Sequence, residues 1–213
     1  NVASITFKEE QGSFLTGVVA AMSTKSNKLG FIGGIDSELI NKFEVGFIAG
    51  AKSVNPDIEV DVKYANAFDD ATTGKELANT MYKQGVDVIY HAAGDTGTGV
   101  FTAATEIKAK DNAANVWVIG VDRDQVEEGK VPGTDLNITL TSMIKRVDLA
   151  VEDLATKTMN GDFPGGENIQ YGLDDNAVGA FAGKILVREG AQKTVSKETN
   201  ANLCATRSAR MFT

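Results

Sequence analysis

An α/β fold, with a parallel sheet and helices on both faces, is what the sequence predicts, and three observations predict it. Short apolar, β-branched runs alternate with longer stretches whose apolar residues recur at intervals of three and four. Several short runs empty abruptly into glycines, hydroxyls and carboxylates, as in "VIYHAAGDTGTGV" at 88–100. Strand-then-helix order repeated along the chain implies right-handed crossovers between parallel strands. With 213 residues, 42% of them hydrophobic, there is material for a sizeable core.

The first 26 residues hold "VASITF", a strand, and "GSFLTGVVAAMSTK", an amphipathic helix. One strand and one helix cannot bury their apolar faces alone, so this segment reads as the tail of a preceding lobe that the chain contains only in part. From residue 27 the unit repeats. "KLGFIGG" is a strand ending in glycines, and "SELINKFEVGFIAGAKSV" is a helix whose Ile40, Phe43, Phe47 and Ala51 share one face. "NPD" stops that helix, because proline disfavours helical geometry in the residue before it. "IEVDVKYA" alternates like a strand with one more exposed face. "TGKELANTMYKQG" is a helix closed by Gly85, and "VDVIYHAA" is a buried strand. "GVFTAATEIKAKD" is a helix and "NVWVIGVD" a strand. "NITLTS" is a further strand, leading into a helix "MIKRVDLAVEDLATKTMNG" that ends at Gly161. "DFPGGENIQYGLDD" suits a surface crossing between lobes. Beyond about residue 188 neither period persists, and 189–213 reads as an irregular tail.

Composition excludes several classes of function. Lys and Arg total 21 against 29 Asp and Glu, a formal charge of −8 without a basic run, which argues against a nucleic-acid partner. Cys204 and His91 are the only residues of their types, so disulfides within the chain, multi-cysteine zinc sites and His-rich metal sites are excluded. A Ser-His-Asp or Cys-His arrangement would have to use His91, whose place at the end of an apolar strand predicts a satisfied, partly buried histidine. No run approaches a membrane span. The absence of an initiator methionine favours a processed or truncated product.

Ligands of open parallel sheets sit at the carboxyl ends of the strands. Those ends carry "GGIDS", "AFDD", "AGDTGTG", "GVDRD" and "TSMIK". Glycine amides, hydroxyls, carboxylates, one aromatic and one lysine suit a polyhydroxylated ligand with a flat face. Phe68, an aromatic in a polar loop, is expected to contact it. Asp122 is either a hydroxyl acceptor or a cap of the following turn. Gly94, Gly97 and Gly99 either let the backbone approach a ligand or only form the strand-to-helix turn. Lys145, at the opening of a helix, opposes the dipole there, which points to a specific task. "GDTGTG" has neither the dinucleotide spacing nor a following GK[ST], and Asp95 would repel phosphate. Asp69 and Asp70 read as turn formers. "DRDQVEE" is either a divalent-cation loop or a solvated helix start.

"FKEEQGSFLTGVVAAMSTKSNKLGFIGGIDSELINKFEVGFIAGAK", "FDDATTGKELANTMYKQGVDVIYHAAGDTGTGVFTAA", "VIGVDRDQ" and "TSMIKRVDLAV" together resemble the basic membrane protein (BMP) family. These are nucleoside-binding lipoproteins of bacterial ABC transporters with a type I periplasmic-binding-protein fold. The resemblance runs from about residue 2 to 180 and implies two Rossmann-like lobes closing on a purine nucleoside, an ABC permease as partner, no cofactor and no catalysis. It implies that Phe68 stacks on the base, Gly94 approaches it through its backbone, Asp122 accepts from the ribose hydroxyls and Lys145 donates to the ribose. It also implies a lipid-anchored protein of the cell envelope, extracellular or periplasmic. The family's amino-terminal half-lobe, with its aspartate- and asparagine-rich segment and lipidated cysteine, has no counterpart here, so that lobe is expected to be incomplete. Residues 1–26 and 139–162 are assigned to its remnant, and 27–138 with 163–188 to the carboxy-terminal lobe. A sensor of the same fold and a sugar-binding protein are the alternatives. A nucleoside hydrolase acting through Asp69, Asp70 or Asp122 lacks a nucleophile–base pair.

Overall fold

Six strands form the main sheet of the computed structural model, which describes residues 1–181. In chain order the elements are β1 (Ser4–Phe7), α1 (Glu9–Ser23), β2 (Lys28–Gly33), α2 (Glu38–Val54), β3 (Glu59–Tyr64), α3 (Ala71–Lys83) and β4 (Val88–Ala92). They continue with α4 (Thr96–Lys110), β5 (Trp117–Asp122), β6 (Thr139–Lys145), α5 (Val147–Met159), β7 (Asn168–Tyr171) and β8 (Val178–Ala180). The main sheet runs β3-β2-β4-β5-β6-β8, parallel except for β8, which is antiparallel to β6. A second sheet consists of β1 and β7, parallel, with Ser4 opposite Asn168 and Phe7 opposite Tyr171. Among the described residues no helix is long and apolar enough to cross a membrane.

Period-two alternation along the central strands feeds two cores. Leu29, Phe31, Val88 and Tyr90 face α2, joining Phe43, Phe47 and Ala51. Ile32, Ile89 and Val118 face the other way, against Met81 of α3 and Val100 and Phe101 of α4. Burial on both faces is why β2, β4 and β5 read as near-continuous apolar runs. The paired helices on each face approach through glycine. A Cβ on Gly50 of α2 would collide with the Phe14 carbonyl of α1, and one on Gly99 of α4 with the Ala71 carbonyl of α3. Gly97 and Gly99 thus lie inside α4 and serve packing; neither forms the preceding turn.

Several boundaries differ from expectation. β6 continues through Lys145 and the helix opens only at Val147, because Thr141, Ser142 and Met143 are buried in the sheet rather than on a helix face. β7 and β8 lie inside and just beyond the segment read as a surface crossing; each has only three or four residues and little apolar signal. The division into 1–26 with 139–162, and 27–138 with 163–188, is not where the chain changes sheets. α1 packs on α2, β6 and β8, and β6 pairs with β5, whereas β7 of the second group pairs with β1 of the first. Within 139–162 only α5 goes with β1: Ala150 joins Phe7 and Tyr171 in the core, and Asp153 accepts from the Tyr171 hydroxyl. The proposed tail 189–213 and residues 182–188 lie outside the described residues.

The chain therefore passes between the sheets three times, at Lys8, at Arg146 and between Gly172 and Ala177. The crossings are tied together by main-chain bonds, Lys8 N–H to Tyr171 C=O at 2.8 Å and Arg146 N–H to Ala177 C=O at 2.7 Å.

At the opposite edge of the main sheet, buried Asp87 gathers four donors. Its carboxylate accepts from Thr24 Oγ1 at 2.6 Å, Lys25 N–H at 2.7 Å, Ser26 N–H at 3.1 Å and Asn115 Nδ2 at 2.8 Å. It anchors the α1–β2 loop to the starts of β4 and β5. Asp87→Ala leaves these donors facing a cavity, and is expected to lower unfolding free energy by about 3 kcal/mol. Urea denaturation checks this: a loss below about 1 kcal/mol would mean that water replaces the carboxylate without penalty.

Candidate functional site

The strand order reverses between β2 and β4, and this fixes where the polar loops open. α2 leaves β2 toward one face, and α4 leaves β4 toward the other. Their loops diverge above adjacent strands, the crevice where ligands of open α/β sheets sit. Gly34 N–H donates to Ala92 C=O at 3.0 Å across the bottom of that crevice.

Phe68 stands over it. Its ring lies against Gly34 so closely that a Cβ there would strike the ring, and 41% of the residue remains exposed. Gly94, at the carboxyl end of β4, turns with φ +56°, and a Cβ added to it would come within 3.0 Å of the Phe68 carbonyl oxygen. The loop that presents Phe68 is pinned by Thr96, the first residue of α4. Thr96 N–H donates to Phe68 C=O at 3.0 Å, and its hydroxyl donates to Ala67 C=O at 3.1 Å and accepts from Asp70 N–H at 2.9 Å. Asp70 caps α3, accepting from Thr73 N–H at 2.9 Å and from the Thr73 hydroxyl at 2.7 Å, which hold its carboxyl below the ordinary range. It is a helix cap with its lone pairs engaged.

Asp122 and Lys145 end adjacent strands, β5 and β6. Lys145 Nζ lies 3.2 Å from Asp122 Oδ1; the lysine side chain is mostly covered and the aspartate about half exposed. The ammonium also sits 5.6 Å from the Phe43 ring centroid and 5.9 Å from that of Phe7, a cation–π arrangement that fixes it at the second crossing between the sheets. Asp122 has φ +67°, and Arg123 N–H closes back onto Val121 C=O at 2.8 Å, so the carboxylate projects from a tight three-residue turn. Lys145 closes β6 rather than opening a helix; it directly precedes Arg146, the N-cap of α5, and its ammonium is directed to Asp122 and the two rings.

All four predicted residues thus lie along one carboxyl edge, in two groups: Phe68 with Gly94 above β2 and β4, and Asp122 with Lys145 above β5 and β6. Three neighbours were not singled out in the sequence, although Gly34 and Thr96 lie within its strand-end segments "GGIDS" and "AGDTGTG". Gly34 and Thr96 support Phe68. Glu9, the first residue of α1, is buried beside the first crossing, and its Oε2 has no hydrogen-bond partner among the described residues. Burial raises its pKa against the opposing pull of its own backbone N–H, Lys145 and Lys42. In sequence it is indistinguishable from any acidic residue in a first helical turn.

"DRDQVEE" is a turn rather than a helix start. Asp124 accepts from Val126 N–H at 3.0 Å, Arg123 pairs with Glu128, and Gln125 is buried. Among the described residues no three His, Cys, Asp or Glu side chains gather as metal ligands. The broad concavity of about 710 Å³ beside α5 and β7, lined by Lys157, Phe163, Glu167 and Ile169 among others, lies away from the strand tips and carries none of the four.

His91 is fully buried rather than partly so. Its ring packs edge-on to Phe101 and against Gly97, whose missing Cβ leaves it room. Gln125 Oε1 lies 3.0 Å from Nε2 and also accepts from Val121 N–H at 2.8 Å, so Nε2 carries the proton and donates. Nδ1 has no partner.

Residues 1–204 match the family described as "Bmp: ABC transporter substrate-binding protein PnrA-like". The "CD4+ T-cell-stimulating antigen" of Listeria innocua is 59% identical over 84% of this chain and 51% of its own length. The "ABC transporter nucleoside-binding protein BmpA" of Lactococcus lactis is 50% identical over 84% of this chain and 52% of its own. An ABC transporter solute-binding protein from Aeropyrum pernix K1, solved by crystallography, superimposes with a TM-score of 0.75 at 29% identity, covering 96% of this chain and 60% of that one. The chain spans about half the length of the curated relatives it matches.

Burial pushes the pKa of His91 down to about 4 from an ordinary 6.5, over the upward pull of Gln125, Asp122 and Glu128. The folded state therefore favours the neutral ring. That contribution is complete above pH 6.5 and is lost as pH falls toward 4. Between these values the protein is expected to lose up to about 1.4 kcal/mol per pH unit more than a His91→Gln variant, measured by urea unfolding. Parallel pH profiles would show that the ring protonates without unfolding.

Proposed function

The chain belongs to the Bmp family of PnrA-like ABC transporter substrate-binding proteins, and from that premise we propose that the whole protein captures a purine nucleoside between two lobes for uptake through an ABC permease. One observation carries the proposal: an exposed aromatic ring and a paired carboxylate and ammonium stand on neighbouring tips of one sheet edge. The tips of β2 and β5 are two strand spacings apart, roughly 10 Å, a span that a purine base joined to a ribose covers. Phe68 offers a stacking face already held by Gly34 and the Thr96 bonds. Asp122 offers acceptor lone pairs to vicinal hydroxyls, and Lys145 offers donors to the ribose oxygens. Gly94 lets the backbone come close to the base. The name of the Lactococcus lactis relative, a nucleoside-binding protein, supports the same ligand class.

The ion pair also explains how capture and closure are linked. Lys145 is simultaneously a ligand group and the last residue before a crossing, so a ligand that engages it bears on the strands about which the lobes close. Stacking plus two or three charge-assisted hydrogen bonds in a closed cleft is compatible with an affinity on the order of micromolar or tighter. No bond is made or broken in this reading. The site would work on the outer side of the membrane, extracellular or periplasmic, with a lipid anchor in the whole protein.

Calorimetry of the full-length protein with inosine and adenosine, against ribose and glucose, tests it. Nucleosides are expected to bind and the sugars not to; binding of glucose alone would replace the proposal with sugar capture. Asp122→Ala is expected to weaken nucleoside binding by roughly tenfold or more, the loss of a charge-assisted hydrogen bond. Phe68→Ala is expected to cost about as much, the loss of one stacked base. Unchanged affinity in either variant removes that residue from the site.

A further inference from the structure

Asp122 is held in position by a residue that no ligand contact requires. β4 and β5 remain paired only as far as Tyr90 and Ile119, while β5 and β6 stay paired to Asp122 and Ile144. Past Ile119 the β4 side of β5 has lost its ladder. Gln125, only 7% exposed, fills that gap. Its Oε1 accepts from Val121 N–H at 2.8 Å, in place of a strand, and from His91 Nε2–H of β4 at 3.0 Å. Its own N–H donates to Ser142 Oγ of β6 at 3.0 Å, and its C=O accepts from the Thr139 hydroxyl at 3.1 Å.

One side chain and its backbone thus join three strands just behind the turn at Asp122. Both acceptances fall on the amide oxygen, so only one amide orientation serves; the flipped amide would set N–H against N–H. The two polar groups of Val121 are then both engaged, its N–H by Gln125 and its C=O by Arg123 N–H. Gly120 completes the fit, since a Cβ there would come within 2.8 Å of Gln125 Cβ and Oε1.

We infer that Gln125 is the positioning residue for the ligand-accepting carboxylate: by bridging the parted strands β4 and β5 it holds the turn that aims Asp122 into the cleft. This rests on the reading of Asp122 as a ligand group, but the positioning itself is measurable without ligand. In the full-length protein the ring signals of His91 are identified by their loss in a His91→Gln variant.

The test uses full-length protein and two substitutions. Gln125→Met keeps bulk and removes the acceptor; Gln125→Glu keeps an oxygen for both donors. In the parent and in Gln125→Glu, Asp122 is expected to show the Cα and Cβ shifts of a left-handed residue, and His91 the Nε2–H tautomer. In Gln125→Met both signatures are expected to disappear. Inosine affinity is expected to fall roughly tenfold in Gln125→Met and to stay within about threefold of the parent in Gln125→Glu. In an Asp122→Ala background Gln125→Met should cause no further loss, because a positioning residue has nothing left to position; an independent structural effect would add.

Left-handed Asp122 shifts and full affinity in Gln125→Met would overturn the inference. So would their loss in Gln125→Glu, which also decides the matter if the methionine variant does not fold. If the parent binds no nucleoside, the nucleoside proposal fails, and the Asp122 shifts alone decide the role of Gln125.

Discussion

The reversal of strand order between β2 and β4 is the constraint on which the rest of the molecule depends. Two adjacent parallel strands send their helices to opposite faces, so the main chain parts above them and leaves a crevice that packing does not close. Everything polar at that edge is there because regular structure ends there. Gly34 and Gly94 line the parting, Phe68 covers it, and Asp122 and Lys145 continue it along the next two strands. The opposite edge serves stability instead. There Asp87 satisfies the loop amides and the Thr24 and Asn115 side chains with one carboxylate.

A site at the ragged end of a sheet has an energetic problem, because backbone groups lose their ladder partners where they are also shielded from water. Each local solution visible here is a side chain standing in for a strand or a cap. Thr96 closes the Phe68 loop, Asp70 caps α3, and Gln125 replaces β4 for Val121. A non-glycine residue in the left-handed region costs on the order of 1–3 kcal/mol, and such strain persists only where surrounding bonds over-determine it. Around Asp122 they do: Arg123, Val121, Gln125, Ser142 and His91 form one connected set. The cost of that set falls on His91, whose Nδ1 has no partner among the described residues and whose burial makes the ring resist protonation.

What was legible in the sequence follows the same division. β2, β4 and β5 are buried on both faces, so their composition alone announced them, and α2 carried a clean face of Ile40, Phe43, Phe47 and Ala51. Since loops at the carboxyl ends of parallel strands share one edge, Phe68, Gly94, Asp122 and Lys145 could be grouped before any coordinates. Short elements whose identity depends on a distant partner were not legible. β7 exists because β1 lies beside it, and β8 because β6 does; "NIQY" and "VGA" carry no period by themselves. Lys145 was assigned to the wrong element because a sequence cannot distinguish a strand that ends at a crossing from a helix that begins there. Gly97 and Gly99 looked like loop glycines, yet what requires them is the His91 ring and, from the start of α3, the Ala71 carbonyl. Glu9 and Gln125 were invisible for the converse reason, being polar residues whose burial is decided entirely by tertiary contacts.

The crossings between the sheets give these two buried residues complementary meanings. Gln125 is a neutral group with its oxygen fully used, and it fixes the Asp122 turn to the rigid sheet. Glu9, the first residue after one crossing, has an oxygen without a partner among the described residues, and Lys145, the last residue before another, pulls its pKa down against the larger effect of burial. Lys145 pairs with Asp122 at 3.2 Å, while the Phe7 and Phe43 rings limit how far it can move. The position of a single ammonium thus depends both on the Asp122 turn at the strand tips and on how β6 leaves the main sheet for α5, which couples the geometry of that edge to the geometry of the crossing.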